Sequence, residues 1–178
     1  MTNTLSLQDI DASVRDTIVL QENEKKSIEG VQIFPLTTFK TEDGSFSEIL
    51  RLHTMPFPPD FTIAQINRSI MLPSTVKAWH LHFNQDEVWN VSARSHILLG
   101  LWDVRENSPT KGQTMRIPLT AEKLVYIPRG VAHGAANHMT HAAEILYFVS
   151  STYNKESPDE KRLPWDSKTA EFWDIKKE

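Results

Sequence analysis

The segment Ala78-Trp79-His80-Leu81-His82 carries two histidines two residues apart. Successive side chains of a strand leave opposite faces, so His80 and His82 point the same way and two imidazoles share one small volume. An imidazole titrates close to neutral pH, which suits it to taking and returning protons. Glu87 follows His82 after four intervening residues, and a third histidine sits in Pro128-Arg129-Gly130-Val131-Ala132-His133-Gly134. The plain alternative is a partly exposed polar face whose members are one another's hydrogen-bond partners. In Ala143-Glu144-Ile145-Leu146-Tyr147-Phe148-Val149, Tyr147 shares a face with Ile145 and Val149, where a tyrosine usually fills core while its hydroxyl finds a partner. His53, His96, His138 and His141 lie in no comparable arrangement and read as surface or structural residues.

Strands have to bring these groups together, and the sequence contains them. From Val31 onward, short segments rich in β-branched and aromatic residues are separated by Gly, Pro, Asn and Asp at intervals of roughly ten residues, the pattern of an antiparallel sandwich or barrel. Strands are expected at 31–34, 46–53, 61–69, 75–82, 86–92, 96–104, 112–118, 123–127 and 143–151, with turns at Asp43-Gly44, Ser108-Pro109 and Pro128-Arg129-Gly130. Ile10, Val14 and Ile18 recur every four residues and predict a short amphipathic helix. After Tyr153 the composition turns polar, which reads as a tail lying across the barrel. The 178 residues thus make one domain: an N-terminal helical extension (1–30), a barrel (31–153) and a C-terminal tail (154–178).

Composition narrows the function classes. A net charge of −4 offers no surplus of positive charge for a phosphate backbone, so general nucleic-acid binding is excluded. With no cysteine, disulfides, thiol nucleophiles and cysteine-bound zinc are excluded as well. Apolar stretches such as 97–102 are far too short to span a bilayer, and the first residues lack the basic start and apolar run of a signal peptide. No membrane association and a cytoplasmic location are the expectations.

His80, His82, Glu87 and then Pro128-x-Gly130-x-x-His133-x-x-x-Asn137 resemble the paired motifs of the cupin superfamily. In metal-binding cupins the three histidines and the glutamate are ligands, so that resemblance implies a divalent metal on His80, His82, Glu87 and His133. The glycines at the outer ends of both motifs are replaced by Arg94 and Glu122. A closer resemblance covers about Val31 to Trp173. Ser108-Pro109-Thr110-x-Gly112, Ile127-Pro128-x-Gly130-x-Ala132-His133-Gly134 and Ala143-Glu144-x-Leu146-Tyr147 occur here in the order and spacing of the dTDP-4-dehydrorhamnose 3,5-epimerases. Upstream, Asp43-Gly44-x-Phe46-x-Glu48 and Ala64-Gln65-x-Asn67-x-Ser69 are similar to further family segments, and Lys77-Ala78-Trp79-His80 falls where the family has Arg-Gly-Leu-His. The other register would set His82 on that histidine, but only His80 aligns Lys77 with the basic residue.

This resemblance implies an all-β cupin jelly roll, metal-free and usually a homodimer, that epimerises carbons next to the C4 ketone of a nucleotide-linked 4-keto-6-deoxy sugar in deoxysugar biosynthesis. Carried over by motif, His80 is the base and Tyr147 the acid. His133, His82, Lys77, Gln65, Asn67 and Glu48 are expected around the substrate. The chain departs from the family in four places. Asp43 replaces an arginine, Ile66 replaces an aspartate, and the segment that holds the family's active-site lysine reads Glu87-Val88-Trp89-Asn90-Val91. The chain also ends at Glu178, before the family's C-terminal aspartate that pairs with the catalytic histidine, so Asp86, Glu87 or Glu144 is expected to take over that pairing. An altered substrate, a metal-dependent isomerase or oxygenase, and a sugar-binding cupin without turnover are the alternatives that these departures raise.

Overall fold

The computed structural model describes residues 6–18, 26–52 and 54–175. Twelve strands run in chain order: β1 (Gln32–Pro35), β2 (Thr38–Thr41), β3 (Gly44–Ser47), β4 (Gln65–Met71), β5 (Thr75–Leu81), β6 (Glu87–Val91), β7 (His96–Asp103), β8 (Thr114–Thr120), β9 (Lys123–Ile127), β10 (Val131–Asn137), β11 (Ala143–Val149) and β12 (Lys161–Arg162). They form two five-stranded antiparallel sheets, ordered β1-β9-β6-β11-β4 and β12-β5-β10-β7-β8, plus the hairpin β2-β3. The sheets face each other as a jelly roll, a solution that gives each apolar strand face a partner.

Three apolar clusters follow from strand alternation. Ile97, Leu99 and Leu101 of β7 point inward with Met71, Val91, Ile117, Leu119, Val125 and Ile145 and fill the interior. The outer face of the first sheet presents Val88, Leu124, Tyr126 and Phe148, which are covered by Leu50, Met55, Phe57 and Phe61. The outer face of the second presents Trp79, Leu98, Trp102, Ala132 and Ala136, and there the tail lays down Leu163, Phe172 and Trp173. Trp173 is 2% exposed and sits over Gly100, where a Cβ would come within 2.5 Å of its ring. Burying a side chain of that size contributes about 3 kcal/mol. The tail is therefore fastened to the barrel by packing as well as by the β12–β5 pairing of Lys161 with Leu81 and Arg162 with His80.

Several elements differ from those expected. Of the strand expected at 46–53, just Phe46 and Ser47 are in a strand, at the end of β3 in the hairpin β2-β3 that turns at Asp43-Gly44. β10 was not expected, because Val131–Asn137 is buried along its whole length and shows no alternation. The N-terminal helix is a single turn, α1 (Ala12–Arg15), after a 3-10 turn at Leu7–Asp9. Val14 and Ile18 stay about half exposed, and a helix this short has little stability without a surface to pack on.

Candidate active site

β4 carries Gln65, Asn67 and Ser69 on its inner face, β5 carries His80, β6 Glu87 and Trp89, β10 His133, and β11 Tyr147; His82 follows the end of β5. All of them line one cavity of about 640 Å³ between the sheets, within the size range of small-molecule sites. The cavity lies above the interior core, which Trp89 and Tyr147 also touch.

Strict alternation would turn Lys77 away from His80. A register shift prevents this: His133 pairs with His80 but Ala135 pairs with Lys77, so β5 has one residue more than β10 between these pairs. Such a bulge re-aims side chains. Lys77 and His80 both reach the cavity while Trp79 goes to the outer cluster. Lys77 Nζ donates to the Ile70 carbonyl at 3.1 Å and to Ser69 Oγ at 3.3 Å. Gly134 makes the close approach possible, since a Cβ there would run into Ala78.

The three imidazoles are stacked in a row, with ring centroids 6.0 Å apart for His80 and His133 and 5.5 Å for His133 and His82. Nδ1 of His80 lies 3.1 Å from Oε1 of Glu160 in the tail. The carboxylates expected to pair with His80 are all engaged elsewhere. Asp86 binds Arg129 at 2.7 Å, Glu144 lies 3.8 Å from Arg68, and Glu87 faces the other two histidines. Burial, followed by the charge of His133, pushes His80 down to about 4 against the opposing pull of Glu160, so the ring is neutral at pH 7. Burial pushes the Tyr147 phenol up to about 12, with Ser69 acting in the opposite direction, so it keeps its proton.

Glu87 is 6% exposed and accepts from Gln85 Nε2 at 2.7 Å and Trp89 Nε1 at 2.5 Å, while His82 Nε2 stands 3.1 Å and His133 Nε2 3.4 Å from its oxygens. Burial works against its charge, but the two histidines outweigh that and hold it well below the usual carboxylate range. His82 is raised in turn: its burial acts downward, and the hydrogen bond and charge of Glu87 outweigh it. His82, Glu87 and His133 are the group that could hold a metal ion, whereas His80 lies outside it.

Glu48 is not brought to this cavity. It follows the separate hairpin, is exposed, and pairs with Arg51 at 2.5 Å. Trp79 belongs to the outer cluster and Trp89 to the cavity wall, where its ring lies 4.7 Å from that of Tyr147. Sequence reasoning missed Glu160 and Asp159, and the sole signal for them was an acidic pair in an otherwise polar tail. His53 lies outside the described residues; His96, His138 and His141 are exposed.

The model of the family described as dTDP-4-dehydrorhamnose 3,5-epimerase matches residues 25–175. The spore coat polysaccharide biosynthesis protein SpsL of Bacillus subtilis is 35% identical over 147 residues, 82% of this chain and 95% of its own. Among solved structures, a dTDP sugar isomerase from Desulfovibrio desulfuricans is similar with a TM-score of 0.70 at 28% identity, over 79% of this chain and 88% of its own. The 3'-monoepimerase ChmJ of Streptomyces bikiniensis, solved in complex with dTDP-quinovose, is similar with a TM-score of 0.73 at 26% identity, over 83% of this chain and 77% of its own.

Proposed function

The chain belongs to the dTDP-4-dehydrorhamnose 3,5-epimerase family and is an enzyme of the epimerase/isomerase class acting on nucleotide-linked 4-keto-6-deoxy sugars, and we propose that His80 and Tyr147 carry its proton transfers. The carrying observation is that a neutral His80, paired with Glu160, and a protonated Tyr147 line one cavity from opposite sheets. Glu160 accepts from His80 Nδ1–H, which leaves the Nε2 lone pair to take a proton from the carbon beside the ketone. The electron pair of the broken C–H bond moves onto the ketone oxygen as an enolate. Tyr147 then delivers its proton to the opposite face of the same carbon and the ketone re-forms, with the configuration inverted. Lys77 supplies positive charge at the cavity wall for the enolate oxygen. Gln65 and Asn67, joined at 2.6 Å, and His133 and His82 line the remainder of the substrate's surroundings.

The substrate class supports a dTDP-linked sugar and a role in deoxysugar biosynthesis. We place the enzyme in the cytoplasm, where nucleotide sugars are made; no helix among the described residues is long and apolar enough to cross a membrane. The family's usual homodimer is also part of the proposal.

The test is incubation with dTDP-4-keto-6-deoxyglucose in deuterated water, followed by NMR of the ring protons. Deuterium is expected at C3, C5 or both, and exchange falls by about 100-fold or more in His80→Asn and in Tyr147→Phe, as for loss of a general acid or base. Undiminished exchange in His80→Asn would overturn the assignment of the base.

A further inference from the structure

We propose that Asp159 is a positioning residue for the reaction: its carboxylate clasps the turn after β5 and so sets Glu160, its neighbour in the tail, against His80. The proposal rests on the reading of His80 as the base and deepens it. β12 is two residues long, both exposed, and a pairing that short at the end of a sheet frays readily. Its ladder with β5 is antiparallel. Leu163 and Trp79 exchange backbone bonds at 3.1 and 3.2 Å, Arg162 lies opposite His80, and Lys161 lies opposite Leu81. Continued two residues further, that register sets Asp159 opposite Phe83. There the side chain takes over from the backbone: Asp159 Oδ1 accepts from Phe83 N at 3.3 Å and Asn84 Nδ2 at 2.9 Å, and Oδ2 accepts from Asn84 N at 3.0 Å. Bonds to a charged acceptor are stronger than the neutral ladder bonds that they continue.

The chain is already shaped where it reaches the clasp. Asn154 Oδ1 accepts from the amides of Glu156 and Ser157 at 2.9 and 3.3 Å, which closes a local turn. Pro158 then fixes φ immediately before Asp159, and Lys161 Nζ returns to the Pro158 carbonyl at 3.1 Å. Glu160 is thereby held between two fixed points, the Asp159 clasp and the pairing of Arg162 with His80, and its Oε1 meets His80 Nδ1 at 3.1 Å. The clasped amides follow His80 by three and four residues on one continuous segment. The clasp therefore fixes the carboxylate relative to the ring that it serves.

Asp159 Oδ2 stands 3.7 Å from His82 Nδ1, too far for a hydrogen bond, so His82 is not what the carboxylate holds. Attachment of the tail to the barrel does not depend on Asp159 either, because Trp173 and Phe172 anchor it on the outer face of the second sheet. What the clasp sets is the local path of the chain at the cavity rim, which Asp159 and Glu160 both line. Moving Glu160 by about 1 Å is enough to lose its bond to His80, and misplacements of that size cost up to about 100-fold in rate.

Asp159→Ala is compared with Glu160→Gln in steady-state kinetics and by nitrogen NMR of the histidine side chains, the His80 resonances being identified by their loss in His80→Asn. In the wild-type chain the ring is expected to carry its hydrogen on Nδ1. In Asp159→Ala that form gives way to a mixture of tautomers, kcat falls by about 10- to 100-fold and KM changes little. The double variant should lose no more than the worse of the two single ones, since both residues act through one contact. Asp159→Asn keeps one acceptor oxygen and should recover part of the loss. Circular dichroism verifies each fold, and should Asp159→Ala not fold, Asp159→Asn carries the test, with a smaller loss in the same direction. The tautomer is read without turnover, so failure of His80 as the base and failure of the clasp are separate results. An unchanged His80 tautomer in Asp159→Ala overturns the proposal, as do fully additive losses in the double variant or a raised KM at unchanged kcat.

Discussion

The base proposed for the reaction takes its carboxylate partner from the tail: Glu160 stands 3.1 Å from His80 across a sequence separation of 80 residues. Arg162 approaches the same carboxylate at 2.6 Å, so the side chain is held from two sides. A carboxylate on Nδ1 fixes the tautomer and the ring plane of a catalytic histidine without touching substrate. Replacing Glu160 with Gln should therefore lower kcat by about 10- to 100-fold, with KM little changed, and Glu160→Asp should recover part of the loss. Steady-state kinetics of the two variants check this, and an equal rise in KM with kcat unchanged would assign Glu160 to substrate binding instead. Glu87 serves a different pair of imidazoles and is not interchangeable with Glu160.

At the scale of elements, two devices position the site. The bulge between β5 and β10 lets Lys77 and His80 share a face, and the tail carries Asp159 and Glu160 to the cavity rim because Trp173 is anchored over β7. A third device lies at the far turn after β7. Asp103 is fully buried and accepts from Arg105 Nε at 2.9 Å, Ser108 Oγ at 2.5 Å and Thr110 Oγ1 at 2.6 Å. Ser108-Pro109-Thr110-x-Gly112, part of the family resemblance, is thus a stitched turn and not cavity chemistry. Burial opposes the Asp103 charge, but these hydrogen bonds outweigh it and depress its pKa. A depressed carboxylate contributes stability that is present above its unfolded value near 4 and is lost as pH falls toward the folded value. Asp103→Asn should cost about 3 kcal/mol at pH 7, with the gap to wild type narrowing below about pH 4; urea denaturation at several pH values measures it.

For the whole molecule, β4 is the informative strand. Its inner face is polar (Gln65, Asn67, Ser69) because it borders the cavity, and its outer face holds Ile66 at 61% and Ile70 at 50% exposure. Among the described residues the strand is also an edge of its sheet. An edge strand with an apolar outer face offers a surface on which two copies of a chain can pair about a two-fold axis. The homodimer is therefore expected to form here, and Ile66→Asp with Ile70→Asp should convert it to a monomer in multi-angle light scattering. A wild-type chain that elutes as a monomer across micromolar concentrations would exclude the dimer.

Alternating strands and turn residues determined an antiparallel β fold directly from sequence, since period-two burial and turn chemistry are local. The shared face of His80 and His82 and the inward Tyr147 followed from the same periodicity and hold in three dimensions. Packing alone decided the rest. β10 is covered on both faces and so has no alternation to read. Glu48 remains with its hairpin, and Glu160 rather than Asp86, Glu87 or Glu144 reaches His80. Those pairings join segments far apart in the chain, and their geometry depends on a bulge and a buried tryptophan whose effects appear once the sheets have closed around a common core.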